Sequence, residues 1–119
     1  MTLMVYGIKN CDSMKKTFAW LAANEIPYTF VDFKTTPPTE AQVEQWLACL
    51  GERLVNTRGP SYRQLPDAVK ANFTGAARIA AIIAKPTLIK RPLLVKGAAM
   101  TVGFAPENWG SIPTLLTKD

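Results

Sequence analysis

The opening part of the chain reads strand, helix, strand, and this order narrows the possible folds more than any other feature. Residues 3–8 are an apolar run, and residues 28–33 are rich in aromatic and β-branched side chains. Between them, residues 12–24 repeat apolar side chains at helical spacing: Met14, Phe18 and Leu21. The three segments predict a βαβ unit with parallel strands and a right-handed crossover.

The middle of the chain, from about residue 34 to 86, has a helical pattern. Thr39, followed three residues later by Gln42, is a capping-box signature, and Gly51 marks the expected end of that helix. A short helix is expected near residues 67–72. Residues 76–84 are apolar nearly all round, which predicts a well-buried helix.

The last part of the chain predicts a β-hairpin and a short helix. Apolar runs at residues 93–95 and 100–103 flank a turn that contains Gly97, and Pro106 can start a helix. The whole order predicts an α/β protein with a thioredoxin-like fold. We expect a single domain over residues 1–119, with a four-stranded mixed sheet and an inserted helical lobe at about residues 34–86.

Composition excludes several classes of function. The chain has 119 residues, two cysteines and no histidine, which excludes Cys–His catalysis, Ser–His–Asp catalysis and a His-ligated metal. No apolar stretch approaches the roughly 18 residues of a membrane span, and no secretory signal is recognisable. We therefore expect a cytoplasmic protein with neither a metal nor a membrane partner.

The net charge of +5 is compatible with simple solubility. The basic residues are scattered and are not interleaved with aromatic side chains, so no nucleic-acid partner is expected. A small anionic substrate fits this distribution better.

Cys11 lies at the junction between the first strand and the first helix. The unpaired N–H groups and the positive dipole end of that helix point at this position. They stabilise a thiolate, which is the nucleophilic form of cysteine. A buried structural cysteine is the alternative. Cys49 is expected to pack on the flank of the helix that follows Thr39, with a role as a second, resolving thiol as the alternative.

Four blocks of sequence, in order along the chain, resemble one known family. They are YGIKNCDSMKK at residues 6–16, NTRG at 56–59, PTLIKRPLLV at 86–95 and VGF at 102–104. The family is the arsenate reductase (ArsC)-like family, and the resemblance is strongest to its Spx/YffB branch. The resemblance implies that Cys11 is the catalytic cysteine, that Arg58 and Arg91 help to cradle an oxyanion, and that the bond before Pro92 is cis.

Arginine offers planar donors that suit an oxyanion or a carboxylate, and a solvated surface charge is the alternative for both arginines. Asn10 and Lys15, from the same block as Cys11, are also expected in the substrate site. Two departures from the family pattern stand out. Residues 100–104 contain no arginine where arsenate reductases carry a third one, and Met14 replaces the second cysteine of the Cys-x-x-Cys redox switch.

These features together predict a thiol-dependent oxidoreductase with Cys11 as its single catalytic cysteine. Glutathione or another small thiol is expected as co-substrate, with no bound cofactor. Two alternatives remain from the resemblance: a non-catalytic, Spx-like regulator that binds RNA polymerase, and an arsenate reductase.

Overall fold

The computed structural model describes residues 2–109 and contains four strands in those residues. They are β1 (Leu3–Gly7), β2 (Tyr28–Asp32), β3 (Leu93–Lys96) and β4 (Ala99–Val102). They form one sheet in the order β2-β1-β3-β4, in which β1 pairs parallel with β2 and antiparallel with β3, and β3 pairs antiparallel with β4. The predicted βαβ unit, hairpin and mixed α/β sheet are therefore confirmed.

Six helices accompany the sheet in the described residues: α1 (Asp12–Ala23), α2 (Glu40–Leu50), α3 (Pro60–Arg63), α4 (Asp67–Ala71), α5 (Gly75–Ala84) and α6 (Pro106–Trp109). Short 3₁₀ turns follow α2 and α5, at Gly51–Leu54 and Pro86–Leu88. The sequence pattern missed α3 and both turns, because a single helical turn is too short for apolar periodicity to mark it. None of the helices between residues 2 and 109 is long and apolar enough to cross a membrane.

The predicted start and end of α2 are confirmed in detail. The Thr39 side chain accepts a hydrogen bond from the Gln42 N–H at 3.1 Å, and the Gln42 side chain accepts one from the Thr39 N–H at 3.0 Å. Gly51 has a φ of 57°, a left-handed conformation that glycine adopts without the steric cost of a Cβ atom. These local hydrogen bonds fix where α2 begins, independently of its packing.

The two faces of the sheet carry separate apolar clusters. Successive side chains of a strand point to opposite faces, so Val5 lies under α1 in a cluster with Met14 and Leu21. Tyr6, the next residue, belongs to the cluster on the other side, which includes Trp46 of α2. The helix that follows Cys11 and the helix α2 therefore pack on opposite faces of the sheet.

The prediction that residues 76–84 form a well-buried helix was right about the helix and wrong about its burial. Within α5 only Ile82 is buried, whereas Ala76, Ala80 and Ala84 are exposed. These small side chains line a groove of about 680 Å³ beside α2. The apolar composition of a helix does not show how many other elements pack against it. The sequence pattern therefore overestimated the burial of α5.

The buried phenol of Tyr6 gives a prediction for alkaline pH. Burial raises the pKa of Tyr6 above 10.0, although a side-chain hydrogen bond with Gln42 partly lowers it. The folded state thus holds this proton more tightly than the unfolded chain, so the stabilisation is complete below pH 10.0 and is lost as the pH rises through the folded-state pKa. We expect the free energy of unfolding, measured with urea, to fall less steeply with pH above this value in Tyr6→Phe than in the wild type. Equal pH slopes in the two proteins would contradict a raised pKa for Tyr6.

Candidate functional site

Cys11 is the N-cap residue of α1. Its backbone is extended, with φ −143° and ψ 130°, and its carbonyl accepts the first helical hydrogen bond from the Lys15 N–H at 3.0 Å. Its side chain makes no capping hydrogen bond, and the thiol is free and half-buried against the apolar cluster under α1. A free thiol thus lies at the positive end of the dipole of α1, a helix of 12 residues.

The strand register shows which segments share the sheet end next to Cys11. Tyr6 pairs with Leu93, and Leu93 pairs with Val102. The C-terminal end of β1, the residue before β3 and the residues after β4 therefore lie at the same end of the sheet. A hydrogen bond from the Gly103 N–H to the Pro92 carbonyl, at 2.9 Å, continues the pairing beyond the strands.

Arg91 and Pro92 lie at this sheet end, directly before β3. The peptide bond between them is cis, which is the isomer that the sequence resemblance implies. Pro92 is buried and Arg91 is half-buried. Asn10 and Lys15 are both exposed, Asn10 in the loop before Cys11 and Lys15 in the first turn of α1.

Arg58 lies in a different environment, an exposed turn beside the segment before β3. The Asn56 N–H donates to the Leu88 carbonyl, and the Lys90 N–H donates to the Leu54 carbonyl, each at 2.8 Å. This pairing makes Arg58 line a pocket of about 420 Å³ together with Lys90 and Arg53. Neither Cys11 nor Arg91 lines that pocket, so the two predicted arginines contribute to different parts of the surface.

The pocket beside Arg58 is a cationic one. Among the residues that the structure describes, its one acidic lining residue is Glu52, whose carboxylate pairs with Arg78 at 3.0 Å. In the part of the chain that the structure describes, the lining thus carries three positive charges, from Arg53, Arg58 and Lys90, and one carboxylate that is already paired. Sequence reasoning missed Arg53 and Lys90, because the pairing between residues 54–56 and 88–90 brings together segments that are distant in the sequence.

The prediction that Cys49 packs structurally was wrong, because its side chain is exposed on α2. The apolar face of that helix is formed by Val43, Trp46 and Leu50, and Cys49 falls outside it. Since α2 and α1 pack on opposite faces of the sheet, Cys49 is separated from Cys11 by the sheet. In the described part of the chain no group of three or more Cys, Asp or Glu side chains is arranged to hold a metal ion.

Comparison with known proteins assigns the family. The ArsC family matches residues 6–112 of this chain. The chain belongs to the ArsC family. It is 33% identical to an uncharacterized protein of Haemophilus influenzae, over 90% of this chain and 95% of that protein. It is 26% identical to the regulatory protein MgsR of Bacillus subtilis, over 87% of this chain and 84% of that protein.

The solved structure of a YFFB protein is similar to this ArsC-family chain throughout. The TM-score is 0.89 at 35% identity, with 98% of this chain and 100% of that chain covered. The similarity confirms the thioredoxin-like α/β fold and the predicted resemblance to the YffB branch of the ArsC family.

Met14 has a packing role in this ArsC-family protein. It is fully buried, and a Cβ atom on Gly7 would lie 2.5 Å from the Met14 sulfur. The thioether thus fills the space that glycine leaves between β1 and α1. A thioether cannot form a disulfide, so Cys11 has no exchange partner one helical turn away.

Proposed function

We propose that this protein is a thiol-dependent oxidoreductase in which Cys11 is the nucleophile and glutathione regenerates it. The observation that carries the proposal is the free, half-buried thiol at the N-cap of α1. The N-terminus of a helix is a position at which reactive cysteines are commonly found. The reducing cytoplasm is the compartment in which such a thiol would be returned to its active form.

The reaction is a pair of thiol–disulfide exchanges. The Cys11 thiolate attacks one sulfur of a disulfide, a new S–S bond forms to Cys11, and the old S–S bond breaks to release the other sulfur as a thiolate. In a mixed disulfide of glutathione, the attacked sulfur is that of glutathione and the other thiolate leaves. A second glutathione thiolate then attacks the glutathione sulfur bound to Cys11, which restores the Cys11 thiolate and releases oxidised glutathione. An external thiol is needed because Cys49 lies across the sheet and Met14 cannot take part.

Cationic groups near Cys11 support an anionic co-substrate. Arg91 lies at the same sheet end as Cys11, and Lys15 is exposed in the first turn of α1. Glutathione carries two carboxylates, and we assign one of them to Arg91. The pocket formed by Arg53, Arg58 and Lys90 is a separate cationic location, which neither Cys11 nor Arg91 lines.

The proposal is tested by glutathione-dependent reduction of bis(2-hydroxyethyl) disulfide, coupled to NADPH oxidation through glutathione reductase. We expect turnover that is proportional to protein concentration and saturable in glutathione. A rate equal to the reaction without protein would contradict the proposal.

Arg91 provides a prediction for glutathione binding. A hydrogen bond to a charged group contributes about 1.5–3 kcal/mol, so Arg91→Ala should slow glutathionylation of Cys11 by roughly 10- to 150-fold. The matched control is Arg63→Ala, which removes an exposed arginine at the end of α3. A single-turnover reaction with oxidised glutathione, followed by mass spectrometry, measures the rate of Cys11 glutathionylation in both variants. Equal rates in the two variants would show that Arg91 is only a surface charge.

A regulatory role is the second candidate, and the similarity to the regulatory protein MgsR favours it. The Spx-like alternative acts through a protein surface that binds RNA polymerase, whereas the enzyme needs its thiol. A pull-down at physiological salt with the wild-type protein and with Cys11→Ser distinguishes the two functions. We expect neither protein to retain RNA polymerase, whereas equal retention by both would favour the regulatory role.

A further inference from the structure

We propose that Phe104 forms an apolar wall of the Cys11 site and selects disulfides that carry an apolar side chain next to the sulfur that leaves as a thiolate. The inference rests on the proposed thiol chemistry of Cys11 and specifies the substrate class. Such a substrate is a peptide or protein cysteine in a mixed disulfide with glutathione, with an aromatic or aliphatic residue beside it.

Phe104 is the exposed large hydrophobic side chain of the described residues, at 36% exposure. Isolated exposed apolar residues are common and carry no meaning alone. The position of this one is informative, because it follows β4 at the sheet end that also holds Arg91 and Pro92. The hydrogen bond between Gly103 and Pro92, at 2.9 Å, ties the backbone of the preceding residue to that end.

The Phe104 ring is held by an aromatic stack. It meets Trp109 edge to face, with ring centroids 5.6 Å apart, and Trp109 is fully buried. Trp109 in turn meets Trp20 of α1 at 5.1 Å, also edge to face. Through Trp109 the stack connects Phe104 to the second half of α1, at Trp20, whereas Cys11 lies at the N-cap of the same helix. The ring is therefore packed against a buried residue on one side while part of its surface stays in water.

The backbone at Gly103 explains how the ring reaches this position. Gly103 has a φ of 88°, a conformation that L side chains rarely adopt. The chain turns there, immediately after β4, and Phe104 leaves the strand register that would otherwise fix its direction.

The chemical character of this sheet end distinguishes possible substrates. A ring that offers only an apolar face and edge cannot donate the hydrogen bonds that an inorganic oxyanion requires. It does gain from covering apolar surface of a ligand. Arg91 lies at the same sheet end, so this end offers both a cation and an aromatic surface, which matches a glutathione mixed disulfide whose other half is apolar.

Two glutathionylated peptides of equal length test the inference, one with phenylalanine and one with serine directly before the modified cysteine. We expect wild-type protein to have a kcat/KM about tenfold higher for the phenylalanine peptide, since aromatic contact plus burial is worth on the order of 1.4 kcal/mol. In Phe104→Ala the ratio should fall to about one, and Phe104→Leu should restore most of it. A purely structural role would lower both rates and leave the ratio unchanged.

Binding provides a readout that does not depend on turnover. Calorimetry should show that the Cys11→Ser protein binds the phenylalanine peptide more tightly than the serine peptide. The double variant Cys11→Ser/Phe104→Ala should lose this preference. An equal affinity for the two peptides in the Cys11→Ser protein would overturn the inference. A retained preference without any turnover by the wild type would instead support the apolar wall and overturn the proposed oxidoreductase function.

Discussion

Replacing Cys11 by serine is expected to abolish glutathione-dependent disulfide reduction. The hydroxyl cannot form the mixed disulfide on which both exchange steps depend. We expect kcat/KM to fall at least about a thousandfold, since loss of a covalent nucleophile costs up to ~10⁶ in other enzymes. The fold should survive, because serine is itself a favoured N-cap and its hydroxyl can accept a hydrogen bond from the first turn of α1.

The matched control is Cys49→Ser, which alters the other thiol of the chain. Cys49 is exposed on α2 and lies across the sheet from Cys11, so this variant should keep its activity within about twofold. Both variants are measured in the coupled disulfide assay, with urea unfolding as the check on stability. Substantial activity in Cys11→Ser, or its loss in Cys49→Ser, would show that the chemistry has been assigned to the wrong cysteine.

Truncating Trp46 to alanine is expected to cause the largest loss of stability among the changes considered. The indole is 2% exposed, and its ring centroid lies 4.9 Å from that of Tyr6 and 6.2 Å from that of Phe33. Removing a buried tryptophan side chain leaves a cavity between α2 and the sheet, at a cost of about 3–5 kcal/mol in the free energy of unfolding.

Urea unfolding of Trp46→Ala, followed by circular dichroism, measures that cost. Gln45→Ala is the control, because Gln45 is the exposed neighbour of Trp46 on the same helix and its loss should change stability by no more than about 0.5 kcal/mol. A cost below about 1 kcal/mol for Trp46→Ala would mean that α2 does not pack on the sheet as described.

Local signals in the sequence were sufficient to predict most of the fold. The capping box of Thr39 and Gln42 depends on neighbouring residues alone, so its prediction did not need the tertiary structure. The burial of α5 and of Cys49 depends on what each helix packs against, and the sequence of a helix does not contain that information. Both of those expectations therefore failed even though the helices themselves were found.

The candidate site also has some features that depend on neighbouring residues in the sequence and others that depend on the tertiary structure. The position of Cys11 at the start of α1 could be predicted because a strand and a helix adjoin it in the sequence. The cationic pocket could not, since Arg53 and Lys90 meet only through the pairing of distant segments. Phe104 was recognised in the sequence only as part of a stretch that lacks an arginine. Its exposure and its stack on Trp109 became visible with the tertiary structure.

A comparison of the two thiols within one molecule tests the role of Cys11 most directly. Wild-type protein is treated with limiting oxidised glutathione, and the modified cysteine is identified by peptide mapping with mass spectrometry. Accessibility alone favours Cys49, which is exposed, over Cys11, which is half-buried. We predict that Cys11 is glutathionylated first and is released again by added glutathione, whereas modification of Cys49 first would contradict the assignment of Cys11 as the nucleophile.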